Sequence, residues 1–232
     1  MGIVTDKPRI TVLMPVYNGA RYLPEAMESI LQQSFTNFEF LIINDGSTDE
    51  SVRIVNSYTD PRIRLIENDR NMGLVHTLNR GFDLAQGEFI ARMDCDDISL
   101  KERLEKQLLL MERCPEIGVC GGWIEYFMGR QLVLKLPVSD AEIKRTLPSD
   151  NPMAHPTVML RTAVIKSRQL YFDPEYSHVE DYELWVRLAA VTCFANIPEV
   201  LLKYRIHPEQ VGHRHSAEQA QILEKIRAKL KK

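Results

Sequence analysis

Short, strongly apolar stretches recur along the first hundred residues, with amphipathic stretches between them. Residues 10–16, 38–43, 62–67 and 88–93 are rich in Ile, Val, Leu, Phe and Met, as strands in the middle of a sheet are. Residues 22–33 carry Leu23, Ala26, Met27, Ile30 and Leu31 at helical spacing, and residues 73–86 do the same with Leu74, Leu78, Phe82 and Ala85. A further helix is expected up to Tyr58, with Ser47 or Thr48 as its cap. Strands and helices alternating at this length predict an α/β fold: a mostly parallel, Rossmann-like central sheet flanked by helices, with right-handed crossovers. Such sheets bind ligands beyond the carboxyl ends of their strands, which is where Tyr17, Asp45 and Asp94 fall.

The second half is less regular. A Leu-, Lys- and Glu-rich helix is expected over 100–114, strand-like segments over 118–127 and 131–136, and a helix over 179–190. A loop over 151–156 leads into a short extended stretch at 157–160. Residues 217–232 read as a basic amphipathic tail. No repeat, low-complexity tract or linker interrupts the chain, so residues 1–232 are expected to form one domain of two fused lobes.

Composition removes several classes of function. A net charge of −3 gives no reason to expect a nucleic-acid partner. Cys95, Cys114, Cys120 and Cys193 form no CxxC pair and stand beside no histidine cluster, so they read as reduced thiols of a cytoplasmic protein. The first nine residues are polar, which argues against a signal peptide, and no apolar stretch approaches the roughly 20 residues that span a bilayer. Any membrane role would be peripheral, at the inner face.

The candidate chemistry starts with Met93-Asp94-Cys95-Asp96-Asp97, which follows an apolar strand directly. In extended backbone Asp94 and Asp96 point to the same side, and two carboxylates held that close call for a divalent cation with hard oxygen ligands. Phosphate oxygens are the usual occupants of such a cation's open positions, so the run suggests a nucleoside diphosphate site. The bland alternative is a solvated turn, with Ser99 or Asp97 serving the helix that follows. Asn44-Asp45-Gly46-Ser47-Thr48-Asp49 is a turn in which Asp45 could accept a bond from a base N–H, and Tyr17 at a strand end could stack on that base. Glu180-Asp181 opens a helix, either as favourable N-terminal charge or with Asp181 as a general base. His155 reads as a loop histidine or an acceptor contact. His207, after Tyr204-Arg205-Ile206, could close over a diphosphate or bind the metal.

Taken together these pieces resemble the family 2 glycosyltransferases, inverting enzymes of GT-A fold that use nucleotide-sugar donors. The resemblance rests on Met14-Pro15-Val16-Tyr17-Asn18-Gly19, Ile43-Asn44-Asp45-Gly46-Ser47-Thr48-Asp49, Asn71-Met72-Gly73-Leu74 and the stretch from Ala85 through Asp97. It continues in His155-Pro156-Thr157-Val158-Met159 and Glu180-Asp181-Tyr182-Glu183-Leu184-Trp185, in the expected order over residues 10–207. It departs from the family at Asn44, which leaves Asp45 as the base-binding acid, and at Cys95, where Ala is common. The resemblance implies a nucleotide-sugar half at 10–97, an acceptor half at 98–214 and a basic helix at 215–232. Pro15, Tyr17 and Asp45 would surround the nucleobase, and Asn18, Asn71, Arg92 and Cys95 would also line the donor site. Asp96 would be the main ligand of Mn²⁺ or Mg²⁺, with Asp94 on the ribose or metal side and His207 a further metal candidate. Asp181 would be the catalytic base, with His155 and Glu180 on the acceptor side.

A UDP-sugar donor, a saccharide or lipid-linked saccharide acceptor and a part in cell-surface polysaccharide or lipopolysaccharide synthesis follow as expectations. A sugar-phosphate nucleotidyltransferase is disfavoured, because Pro15-Val16-Tyr17-Asn18-Gly19-Ala20-Arg21 is not a Gly-rich basic loop. A non-catalytic module of the same fold remains an alternative, and a dinucleotide-binding dehydrogenase lacks its GxGxxG. The tail reads either as a docked terminal helix or as a contact for an anionic membrane surface.

Overall fold

A computed structural model describes residues 7–128, 131–208, 219 and 222–227. Its first half is the anticipated alternation: β1 (Ile10–Val16), α1 (Leu23–Leu31), β2 (Phe38–Asn44), α2 (Ser51–Asn56), β3 (Ile63–Glu67), α3 (Leu74–Leu84) and β4 (Phe89–Arg92). These strands pair in parallel in the order β3-β2-β1-β4. Every residue of β1 and β2 is buried, because helices cover both faces. Val12, Met14, Phe40 and Ile42 pack on Leu23 and Met27 of α1, while Leu13, Leu41 and Ile43 face Leu78 and Phe82 of α3.

The second half extends the same sheet with β5 (Ile98–Ser99), β6 (Ile117–Phe127), β7 (Leu132–Leu134), β8 (Met159–Arg161) and β9 (Cys193–Arg205). Its helices are α4 (Arg103–Arg113), α5 (Asp140–Thr146), α6 (Thr162–Arg168) and α7 (Glu180–Leu188). The full order is β3-β2-β1-β4-β8-β6-β9-β5, with β7 paired to β6. β8 runs antiparallel to β4 and β6, whereas β9 lies parallel to β6.

This order forces the sheet to curl. β4 and β5 are four strand spacings apart, about 19 Å in a flat sheet. Only the five residues of the acidic run join Arg92 to Ile98, and because they contain a turn they fall short of the roughly 20 Å that a fully extended link would just reach. The far edge therefore folds back over the end of β4. The Ser99 N–H donates to Ser29 Oγ of α1 (3.0 Å), and the Arg205 N–H donates to Asp97 Oδ1 (2.9 Å).

Several expectations are corrected. α2 begins at Ser51 after Glu50, with no side-chain cap; Ser47 Oγ instead accepts the Asn18 N–H at 2.9 Å. α4 begins three residues later than expected, and Ser99 sits in β5, where its hydroxyl accepts from Gln33 (3.2 Å). α5, α6, β5 and β9 were not anticipated. α5 carried a legible signal, the reciprocal Ser139/Glu142 capping box. Of the tail, residues 222–227 are helical; Ile226 is buried, and Ile222 and Leu223 pack against the same apolar cluster. That arrangement matches the docked reading, and the rest of 209–232 apart from Gln219 lies outside the described residues. Among the described residues no helix is long and apolar enough to cross a membrane.

Buried polar groups tie the elements of the second half to one another. Gln107 on α4 donates to the carbonyls of Cys120 (3.0 Å) and Thr157 (2.8 Å) and accepts from Arg103 Nε (3.1 Å). Gln107→Leu leaves two buried carbonyls and a guanidinium N–H unpaired, so urea denaturation should show a loss of about 2–5 kcal/mol. A loss below about 0.5 kcal/mol would contradict this role.

Candidate active site

The strand ends converge on one corner. Asp45, after β2, is buried and accepts three protein bonds: Asn68 Nδ2 (2.7 Å) and Met72 N–H (2.8 Å) on Oδ1, and Gly73 N–H (2.9 Å) on Oδ2. Its first task is thus to shape the 68–73 loop, and one lone pair of Oδ2 is left for a ligand. Gly46 makes this possible: its φ is +68°, and a Cβ there would stand 2.5 Å from the Arg70 carbonyl carbon. Asn71 Oδ1 accepts the Gly73 N–H (3.0 Å). A cleft of about 340 Å³ adjoins this corner, lined in part by Asn68, Arg70 and Met72.

Pro15 is buried within β1, while Tyr17 just beyond it is 49% exposed and open to a stacking partner. Asn18 has a left-handed backbone (φ 50°), and its side-chain oxygen accepts the Thr48 N–H at 2.8 Å, stitching the first two loops together. Cys95 turns away from the acids: its Sγ lies 2.8 Å from where a Cβ on Gly19 would stand.

Arg92 is the hub of the acidic run. It is 4% exposed and ion-paired with Asp94. Burial opposes its charge, but Asp94, Asp97 and Glu180 outweigh that and hold its pKa above the usual value. Ligating oxygens of Asp94, Asp96 and Asp97 all lie within 4.8 Å of one another. Burial raises the Asp94 carboxyl against the attraction of Arg92, and burial with the neighbouring Asp94 and Asp96 charges raises Asp97 well above its ordinary range. Asp97 was expected as a supporting residue. It does hold the Arg205 N–H, yet its second oxygen is buried without a hydrogen-bond partner and belongs to the same carboxylate group. His207 Nε2 lies 2.8 Å from Asp96 Oδ2, and its ring packs 4.9 Å from that of Tyr22. An all-oxygen set of three crowded carboxylates with an adjoining imidazole suits a hard divalent ion such as Mn²⁺ or Mg²⁺.

The other wall is the start of α7. Asp181 Oδ2 accepts from Asn151 Nδ2 at 2.9 Å, a partner that no spacing in the sequence announces. Burial raises the Asp181 carboxyl, tempered by the Tyr182 N–H, Asn151 and Arg92. Glu180 is 5% exposed, with one oxygen unpartnered, and burial beside Asp181 pushes it up to about 7. His155 packs against Phe172 and Trp185 (centroids 5.5 and 5.8 Å), and burial, then Arg92, pushes its pKa well below the usual value, so it is neutral. Arg92 thus acts electrostatically on the acids of both walls.

The profile of Glycosyl transferase family 2 matches residues 11–167. The amylovoran biosynthesis glycosyltransferase AmsE of Erwinia amylovora is 32% identical over 211 residues, covering 88% of this chain and 79% of AmsE. S. aureus TarS 1-349, solved with UDP-GlcNAc, superposes with a TM-score of 0.79 at 21% identity over 92% of this chain and 64% of that one. The mannosyltransferase PcManGT of Pyrobaculum calidifontis, solved with GDP-Man and Mn²⁺, gives 0.71 at 20% identity, over 94% of this chain and 62% of that one. Both likenesses establish the GT-A fold, and the chain spans about two thirds of the length of these solved relatives.

Glu180 supplies a test of the site's electrostatics. Its folded-state pKa lies above the ordinary value, so the neutral acid contributes stability that is fully present below about pH 4.5 and lost as pH rises through about 7. Glu180→Gln escapes that loss. In metal-free buffer its stability relative to wild type should rise by on the order of 2–3 kcal/mol from about pH 5 to about pH 8. A difference that does not change with pH would remove the buried acid.

Proposed function

The chain belongs to glycosyl transferase family 2, and on that premise we propose that it transfers a sugar, with inversion, from a UDP-sugar to a hydroxyl of a saccharide or lipid-linked saccharide. The observation that carries the reading is the shared charge: Arg92, 4% exposed and ion-paired with Asp94, acts electrostatically on Asp97, Glu180 and Asp181 as well. One cleft so built can hold a diphosphate and an acceptor hydroxyl together.

Tyr17 stacks on the base in this reading, and the remaining lone pair of Asp45 Oδ2 takes one base N–H. A single acceptor position suits uracil, which offers one imide N–H, better than guanine, which offers an N–H and an amino group. Asp94, Asp96 and Asp97, with His207 beside them, would hold Mn²⁺ or Mg²⁺, which supplies Lewis-acid stabilisation of the departing diphosphate. Asp181 takes the proton of the acceptor hydroxyl as its oxygen attacks the anomeric carbon from the face opposite the leaving group. Arg92 keeps Asp181 able to ionise, and Asn151 fixes the direction of its oxygen. The AmsE likeness supports a place in surface-polysaccharide synthesis. The apolar side of the 222–227 helix is packed against the core, so no membrane contact through that face is proposed.

Two variants test the assignment. Asp96→Asn should abolish the Mn²⁺-dependent part of the thermal shift given by UDP. Asp181→Asn should keep that shift and slow transfer by about 10²–10⁴-fold. Transfer by Asp181→Asn at the wild-type rate would exclude Asp181 as the base.

A further inference from the structure

The C-terminal segment touches both supports of Asp181. The first support is the turn that leads into α7. His178 has a left-handed backbone (φ 73°), a conformation that persists only when its surroundings fix it. Gln219 Nε2 donates to the His178 carbonyl at 2.9 Å. The second support is the loop that carries Asn151, the donor to Asp181 Oδ2. Its neighbour Asp150 pairs with Arg227 at 3.9 Å, and the Arg227 guanidinium lies 5.9 Å from the centre of the Tyr182 ring, the residue after Asp181. The Tyr182 hydroxyl donates to the Leu147 carbonyl just after α5, which ties the two supports to each other.

We propose that Gln219 and Arg227 are positioning residues for the acceptor-side carboxylates, so that the C-terminal helix aims Asp181 as well as covering the core. The proposal rests on the reading of Asp181 as the base. A helix that merely covered apolar surface would need Ile222, Leu223 and Ile226 and nothing more. The polar side chains of Gln219 and Arg227 reach instead to the two backbone segments that hold Asp181. The Arg227–Asp150 pair is long and its Asp150 partner is exposed, so it is worth little alone. Its effect comes from acting with Gln219 on a segment already anchored by Ile226, which is 4% exposed and shares its cluster with Tyr182, Trp185 and Leu147. A misplacement of about 1 Å at a reacting group can cost on the order of 100-fold in rate, so a loose strap is enough to matter.

The test uses the full chain carrying Gln219→Ala and Arg227→Ala together, with Arg227→Lys as the conservative control. Hydrogen–deuterium exchange should show loss of protection over residues 147–151 and 176–183, with β1 to β4 and the affinity for UDP plus Mn²⁺ unchanged. UDP release from a UDP-sugar in the presence of Mn²⁺ should fall about tenfold in kcat at constant donor KM, and Arg227→Lys should retain most of it. Unchanged protection at 176–183, or a loss spread evenly over the molecule, would overturn the proposal. Asp181→Asn run alongside separates the two ideas: wild-type turnover by that variant would sink the base, while the exchange pattern would still judge the strap.

Discussion

The buried guanidinium of Arg92 is the charge on which the cleft depends. Arg92 lies at the end of a parallel strand, out of water, and the acids on both walls act on it. Without that charge, Asp94, Asp97, Glu180 and Asp181 would each face burial and mutual repulsion at once, and they would protonate rather than ionise. Arg103 adds a second, fully buried charge below, donating to the Arg92 carbonyl at 2.6 Å; burial lowers its own pKa to about 9. The site remains rich in carboxylate, which is the condition in which a divalent cation is welcome.

The fold exists in the form that makes this convergence possible. Parallel strands bring Tyr17, Asp45 and Asp94 to one edge, as any doubly wound sheet would. Joining β4 to β5 through five residues is the stricter constraint, because it curls the sheet until Arg205 and His207 lie over the acidic run. Arg205 is held between the rings of Tyr22 and Phe127, at 4.5 and 4.6 Å, and donates to the Asp96 carbonyl at 2.6 Å. Residues more than a hundred positions apart in sequence therefore fix the geometry of one carboxylate.

The first half of this architecture could be read from the chain because β1 and β2 are buried on both faces and appear as apolar runs between punctuating turns. The second half resisted for physical reasons. β9 contains Pro198 and Glu199, which break its apolar pattern, and β5 has two residues, too few for any period. Arg103 and Gln107 look like the solvated face of a helix, yet both are fully buried, and only tertiary contacts reveal it. Motifs marked Asp94, Asp96 and Asp181, which the fold brings close to one another. The structural duties of Asp45 and Asn18, and the reach of Asn151 and Gln219, belong to contacts between distant segments that spacing does not encode.

Arg92→Met, compared with Arg92→Lys, tests the shared-charge account most directly, through the rate of sugar transfer per folded molecule with UDP plus Mn²⁺ binding measured in parallel. The account predicts that Arg92→Met loses both donor binding and transfer by at least about 100-fold while Arg92→Lys keeps a measurable part of each. A folded Arg92→Met protein that binds donor and transfers sugar at the wild-type rate would contradict it.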